Sequence, residues 1–144
     1  MHLTIDGKTE AVGLLADKDK LRGLLERLPD DMGMCRISGP FVIPYFTEAD
    51  FLELKGYFGW VIIAESHIAI TTNIKDGEVH VDCFSCKDFN AELVLQLVVA
   101  EYELSQLSYN ILDRTAGHEP MSPAAPRPTG QQAGSLRPHL YYRP

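Results

Sequence analysis

Residues 60–85 read WVIIAESHIAITTNIKDGEVHVDCFS and contain three β-prone segments in succession. Trp60–Ala64 is a nearly continuous apolar run, which is typical of a buried strand. In His67–Thr72 and Glu78–Ser85, apolar and polar residues alternate, as they do in strands with one buried face. The breaks between the segments are short, and Asn73–Gly77 is rich in turn-forming residues. Strands joined this closely pair with each other, so the segment predicts the centre of an antiparallel sheet.

Further strands are predicted on both sides of this centre. Short alternating segments at Leu3–Ile5 and Leu107–Ile111 indicate one strand near the start and one near the end of the patterned region. Ile37–Tyr45 is also β-prone, but Pro40 and Pro44 restrict it to an edge or irregular strand, because proline cannot donate a sheet hydrogen bond.

Two helices complete the pattern. The first is capped by Asp17 or Asp19 and is predicted to end at Pro29, and the second is capped by Asp88 or Asn90. Their apolar faces, spaced by three or four residues, are Leu21, Leu24, Leu25 and Leu28 in the first and Leu93, Leu97, Ala100 and Leu104 in the second. The order β-α-β-β-β-β-α-β predicts an α+β two-layer sandwich, an antiparallel sheet with two helices packed on one face.

Composition limits the classes of function. The chain has 144 residues and a formal net charge of −7, so we expect neither nucleic-acid binding, which needs a basic face, nor attraction to an anionic membrane surface. No apolar run is long enough to span a membrane, and the first residues lack the basic start and apolar core of a signal peptide. The three cysteines are an odd number, which suits a reducing compartment, so we expect a cytoplasmic protein.

The chain divides into two regions of different composition. Residues 1–114 are predicted to form the folded domain, and residues 115–144 a Pro/Gly-rich flexible tail that holds six of the nine prolines. The tail has three arginines against one glutamate, a net charge of +2, which leaves −9 for the domain.

Glu65-Ser66-His67 interrupts the apolar pattern with three polar residues. On local sequence alone this is a polar hairpin turn. A serine triad is not expected, because neighbours in a strand point to opposite faces and His67 is therefore poorly placed to deprotonate Ser66.

Cys83 and Cys86 are the second feature with possible chemistry. Residues three apart in a strand face opposite sides, so the two thiols would not converge on one metal ion, and no second cysteine pair is present. The local pattern predicts one buried and one exposed thiol and no metal site.

Taken together, these features resemble the prokaryotic S-adenosylmethionine decarboxylase family. The matching pattern is an apolar strand, Glu65-Ser66-His67, a second apolar strand and then Val81-Asp82-Cys83-Phe84-Ser85-Cys86. The surroundings of Asp6, Gly33-Met34 and Leu112-Asp113-Arg114 are also similar to that family, so the resemblance spans roughly residues 2–114.

The resemblance implies a proenzyme that cleaves itself between Glu65 and Ser66. The Ser66 hydroxyl would attack the Glu65 carbonyl carbon, and the new terminus from Ser66 would become a covalent pyruvoyl group, an electron sink for decarboxylation. Cys86 stands at the position of the family's proton-donor cysteine. The implied substrate is S-adenosylmethionine, the product is the aminopropyl donor for spermidine, and the implied assembly is a homodimer that covers the free sheet face.

Several positions depart from the family pattern and keep alternatives open. Phe58 replaces a serine eight residues before Ser66, Thr71 replaces a histidine five residues after it, and Asn73-Ile74-Lys75 replaces an aromatic-Pro-Glu segment that contacts the substrate. The alternatives are an uncleaved, inactive paralogue acting as a partner or regulator, and a pyruvoyl decarboxylase of a smaller amino acid such as ornithine or arginine. His80 is a candidate substitute base, but it lies about 20 Å from Cys86 along an extended strand.

Overall fold

The structure, a computed structural model, describes residues 1–46 and 53–113. Its elements are β1 (His2–Lys8), α1 (Val12–Leu15), α2 (Lys18–Asp31), β2 (Arg36–Phe46), β3 (Leu54–Ile63), β4 (Ser66–Asn73), β5 (Glu78–Ser85), α3 (Ala91–Tyr102) and β6 (Gln106–Leu112). The strands form one sheet in the order β2-β3-β4-β5-β1-β6, and all neighbours are antiparallel. The predicted α+β two-layer sandwich is confirmed, with the short helix α1 as an addition. The predicted tail, residues 115–144, lies outside the described residues.

The sheet has two unlike faces. Alternate residues of each central strand are buried under the helices, which is the period-two pattern of a strand with one covered side. These buried residues are Leu3 and Ile5, Val61 and Ile63, Ile68 and Ile70, and Val79, Val81 and Cys83. Leucines of α2 and valines of α3 cover them. We call the other side of the sheet the open face, because none of the three described helices packs on it.

The helix α2 begins as predicted and ends later than predicted. The Asp17 side chain accepts hydrogen bonds from the backbone N–H groups of Asp19 and Lys20, which identifies Asp17 as the cap. The helix then continues through Pro29 to Asp31, so the prediction that Pro29 ends it was wrong. A proline lacks a donor but keeps its carbonyl, and the Met34 N–H donates to Pro29 O, so the last turn closes around it.

The helix α3 buries a different face from the predicted one. Asn90 is its cap, accepting from the Leu93 N–H, but the buried residues are Ala91, Val94, Val98 and Tyr102. Leu93 and Leu97 are only partly buried and Ala100 is exposed. Apolar residues surround most of this helix, so spacing alone did not distinguish the two stripes. Packing of the large Tyr102 ring into the core selects the other one.

We expect Gly56→Ala to lower the free energy of unfolding by about 2 kcal/mol or more. A Cβ atom at Gly56 in β3 would overlap the backbone carbonyl of Thr72 in β4, and backbone cannot move aside as a side chain can. The matched control is Gly23→Ala in α2, where no atom beyond its chain neighbours and the backbone of the same helix lies within 4 Å of the added carbon. The control should raise stability by up to about 1 kcal/mol, because alanine favours a helix over glycine. Urea unfolding of both variants checks the pair, and equal effects would contradict it.

The described helices include none that is both long and apolar enough to cross a membrane.

Candidate active site

Glu65 and Ser66 lie at the tight connection between β3 and β4. β3 ends at Ile63 and β4 begins at Ser66, so two residues form the hairpin turn. Ser66 pairs with Ile63 on one side and with Ser85 of β5 on the other. A hairpin turn is present as predicted, but it consists of Ala64 and the exposed Glu65, and Ser66 and His67 already belong to β4.

The hydroxyl of Ser66 is buried and has no hydrogen-bond partner among the described residues. An unpaired buried hydroxyl costs about 1–3 kcal/mol relative to a satisfied one. Such groups are uncommon in native proteins, and a reactive role is one of the reasons for which they persist. The unpaired Ser66 hydroxyl, on the residue that follows the Glu65 carbonyl, is therefore the candidate reactive group of this hairpin.

Cys86 comes to the same end of the sheet as Ser66. Ser85, the last residue of β5, pairs with Ser66, and Cys86 follows it directly. The Cys86 side chain is exposed. Strand register thus brings together two of the residues predicted from the sequence, although 20 positions separate them along the chain.

The other cysteine of the pair is unsuited to proton transfer. Cys83 is buried in the core, and burial together with the neighbouring Asp82 charge raises the pKa of its thiol to about 12. One buried and one exposed thiol is the arrangement that the local pattern predicted. Within residues 1–46 and 53–113, no group of three or more His, Cys, Asp or Glu side chains is arranged to hold a metal ion.

A carboxylate between two imidazoles lies on the open face near this end of the sheet. Asp82 Oδ2 is 3.0 Å from His2 Nε2, and Asp82 Oδ1 is 3.4 Å from His67 Nε2. The two imidazole rings also contact the Phe84 ring edge-on, with centroids 5.6 and 6.1 Å away. Sequence analysis missed this cluster. The cluster forms because β1 pairs with β5, which brings together residues about 80 positions apart in the sequence.

Thr71 and Phe58 lie together, at a distance from Ser66. Thr71 pairs with Phe58 of β3 on one side and with His80 of β5 on the other, and His80 pairs in turn with Asp6 of β1. The Nδ1 atom of His80 is 2.7 Å from Asp6 Oδ1. We call Phe58, Thr71, His80 and Asp6 the cross-strand row.

The cross-strand row is remote from the hairpin within one chain. Thr71 is five residues along β4 from Ser66, which is about 16 Å in an extended strand. His80 lies near the start of β5 and Cys86 beyond its end. None of the described strands folds back to bring the two together, so the predicted separation of His80 from Cys86 is present.

The residues at the hairpin fit a group generated from the chain itself. A pyruvoyl group would be made from Ser66, whose hydroxyl is free of hydrogen bonds and next to the peptide bond to be cleaved. Such a group needs no separate binding cradle, and the exposed Cys86 thiol follows the residue paired with Ser66.

Comparison with solved structures first places the fold. The crystal structure of the adenosylmethionine decarboxylase from Aquifex aeolicus VF5 superimposes with a TM-score of 0.58 and 21% sequence identity, covering 78% of this chain and 92% of that one. The two proteins share the α+β sandwich.

Sequence comparison then places the chain more narrowly. The model of the S-adenosylmethionine decarboxylase family matches residues 1–115, and the chain belongs to that family. A curated relative, the S-adenosylmethionine decarboxylase proenzyme of Archaeoglobus fulgidus, is 28% identical over 102 residues, which are 70% of this chain and 84% of that protein.

Proposed function

We propose that this chain is a self-processing, pyruvoyl-dependent S-adenosylmethionine decarboxylase that cleaves itself between Glu65 and Ser66. The observation that carries the proposal is the buried, unpartnered Ser66 hydroxyl at a two-residue hairpin, in a member of the S-adenosylmethionine decarboxylase family. The product of decarboxylation is the aminopropyl donor for spermidine. The three cysteines are all free thiols, and this supports the cytoplasm as the location.

The first step forms an ester from a peptide bond. Ser66 Oγ bonds to the Glu65 carbonyl carbon, the bond from that carbon to the Ser66 nitrogen breaks, and the hydroxyl proton moves to the nitrogen. Loss of the Ser66 Cα proton then breaks the bond from Ser66 Cβ to the ester oxygen and releases the main-chain carboxylate of Glu65. Water then replaces the Ser66 nitrogen, which leaves as ammonia. The products are residues 1–65 and a chain from residue 66 that begins with a pyruvoyl group.

The environment of Ser66 supports this attack in two ways. Its hydroxyl makes no hydrogen bond that would have to break first, and its oxygen is buried, so bulk water does not solvate the attacking group. The hydroxyl and the carbonyl belong to adjacent residues, so their encounter requires no further binding step.

Strand order keeps the two products together. β1, β2 and β3 belong to the first product, and β4, β5 and β6 belong to the second. In the sheet order, the pairings β3·β4, β5·β1 and β1·β6 each join one product to the other. Separating the products would break all three ladders, so the cleaved protein stays folded as one unit.

Cys86 is the residue that we assign to proton return. A pyruvoyl group supplies an electron sink for decarboxylation, and the reaction is completed by a proton delivered to the substrate carbon. The exposed Cys86 thiol follows the residue paired with Ser66, whereas Cys83 is buried and its thiol pKa is too high for proton transfer.

We also propose that two copies associate through the open face. Its β2–β3 half is apolar: Phe41 and Phe58 lie on either side of Trp60, with ring centroids 5.4 and 5.3 Å away, and Ile43 is exposed beside them. A monomer rarely leaves such a patch uncovered. Because one chain cannot bring its cross-strand row to its own Ser66, a role for that row in cleavage requires that a second copy supplies it.

His80 is the residue of the cross-strand row that can act as an acid or base. Thr71 can donate a hydrogen bond but cannot exchange protons near neutral pH, and Phe58 can do neither. A histidine imidazole that is hydrogen-bonded to a carboxylate, as His80 is to Asp6, can both donate a hydrogen bond and exchange a proton. We therefore assign to His80 the proton transfer that Thr71 cannot perform.

Intact mass spectrometry of the purified full chain tests the proposal. We expect two fragments that meet at Glu65 and Ser66, with a pyruvoyl mass on the second, and both should co-migrate in native gel filtration. Carbon dioxide release from S-adenosylmethionine, compared with release from ornithine and arginine, then tests the substrate. A 16.1 kDa species that persists uncleaved would contradict the proposal and indicate an inactive paralogue that acts as a partner or regulator.

A further inference from the structure

The strand β6 leaves an apolar strip uncovered at the edge of the sheet. Leu107, Tyr109 and Ile111 pair with Gly7, Ile5 and Leu3 of β1, so they lie on the side of the sheet that carries the helices. The β1 residues are buried, but Leu107, Tyr109 and Ile111 are 42%, 51% and 49% exposed. The helix layer therefore covers β1 and stops short of β6.

The two edges of the sheet differ in how they resist pairing. β2, at one edge, contains Arg36, Pro40 and Pro44, and its pairing with β3 is interrupted by register shifts, all of which hinder the addition of another strand. β6 has no proline and no charged residue, and its seven pairs with β1 run without interruption. A regular, uncharged edge strand is a template for a further strand.

We propose that β6 pairs antiparallel with β6 of a second copy of this chain, about a two-fold axis at Tyr109. In this register Tyr109 faces its own counterpart and Leu107 faces Ile111, so the apolar strip of one copy meets that of the other. On the open-face side, Ser108 faces Asn110 and Gln106 faces Leu112. This is the register that uses all seven residues of β6, and it keeps the helices of both copies on the same side.

Charge also favours a second copy of this chain as the partner of β6. The chain has a net charge of −7, so most surfaces of two copies repel each other, but the seven residues of β6 place no like charges opposite one another. The pairing is isologous, because each side contributes the same residues, and it therefore closes at two copies and does not extend into a filament.

Tyr109→Lys tests the pairing by placing two ammonium groups directly opposite each other at the axis. Gel filtration with light scattering on the full chain should show half the wild-type assembly mass, with at least about a tenfold weaker self-association. If the open faces also associate, the assembly mass should fall from four copies to two. If they do not associate, it should fall from two copies to one. The outcome is thus separate from the proposed function, whose own test is cleavage.

Val12→Lys is the matched control for that variant. Val12 is 42% exposed on α1, outside the sheet and beside Gly77, so the change adds the same charge at a similarly exposed apolar residue and should leave the assembly mass unchanged. Circular dichroism confirms that both variants fold. An unchanged mass for Tyr109→Lys would overturn the proposal.

Disulfide trapping tests the register. Directly opposed residues of an antiparallel pair have Cα atoms about 4.5–5.5 Å apart, within the range of a disulfide. Starting from the double variant Cys35→Ser, Cys86→Ser, an added Tyr109→Cys should give a linked dimer on oxidation, whereas Asn110→Cys, which faces Ser108, should not. Equal linkage of both would overturn the register. Protection of β6 from hydrogen exchange in a single-copy state would show that another segment of the same chain covers it, and would overturn the proposal.

Discussion

We expect replacement of Ser66 by alanine to abolish the proposed self-cleavage, so that the purified chain remains a single species close to 16.1 kDa after long incubation. The methyl group of alanine fits where the serine Cβ lies but provides no oxygen to bond to the Glu65 carbonyl carbon. Because the Ser66 hydroxyl has no hydrogen-bond partner, its removal breaks no contact, and the variant should fold at least as stably as the wild type. Intact mass spectrometry measures the cleavage, and thermal unfolding measures the stability.

Ser85→Ala is the matched control for this prediction. Ser85 is buried, pairs directly with Ser66 and accepts a hydrogen bond from the Lys87 N–H, so its replacement perturbs the same end of the sheet without removing the nucleophile. Cleavage should persist in Ser85→Ala, although its loss of a hydrogen bond costs about 1 kcal/mol. Cleavage that continues in Ser66→Ala would show that Ser66 is not the attacking residue, and cleavage that stops equally in both variants would show that disturbing this end of the sheet is sufficient to block it.

We expect replacement of Cys86 by serine to leave the proposed self-cleavage intact and to lower the decarboxylation rate by about 10²- to 10⁴-fold. The size is that of a lost general acid, because a serine hydroxyl holds its proton far more tightly than a thiol does. The cleavage step requires Ser66 and the Glu65 carbonyl and not this thiol, so the two activities should separate. Release of carbon dioxide from S-adenosylmethionine measures the rate, and the fragment masses report the cleavage.

Cys35→Ser controls for the loss of an exposed thiol. Cys35 is free and exposed, and its hydrogen bond to the hairpin is made by its backbone carbonyl, which accepts from the Ala64 N–H, so replacing its side chain should change neither cleavage nor decarboxylation. If Cys86→Ser decarboxylates at the wild-type rate, the proton comes from another group. The next candidate would then be Asp82 with its partners His2 and His67. These residues lie on β5, β1 and β4, near the end of the sheet where Ser66 lies.

The strand pattern was readable from the sequence because a half-buried strand repeats every two residues. Alternation around Ile68 and Ile70, and around Val79 and Val81, identified the buried face correctly. The same reasoning was less successful for α3, where apolar residues on several sides left two possible stripes and Tyr102 decided between them. At Pro29 a local rule was overridden, because the Pro29 ring is buried and the later N–H groups of Met32 and Met34 still close the end of α2, although the bond from residue 29 is missing.

The sequence by itself determined the fold class, the hairpin with Glu65 and Ser66, and the separation of the buried Cys83 from the exposed Cys86, since each depends on periodicity or on neighbours along the chain. Only the tertiary structure placed Cys86 beside the residue paired with Ser66, joined His80 to Asp6 across β1 and β5, and left β6 as an uncovered edge. The physical reason is that these relations depend on register between strands distant in sequence. Register is set by the packing of the whole sheet against its helices, and no local pattern contains it.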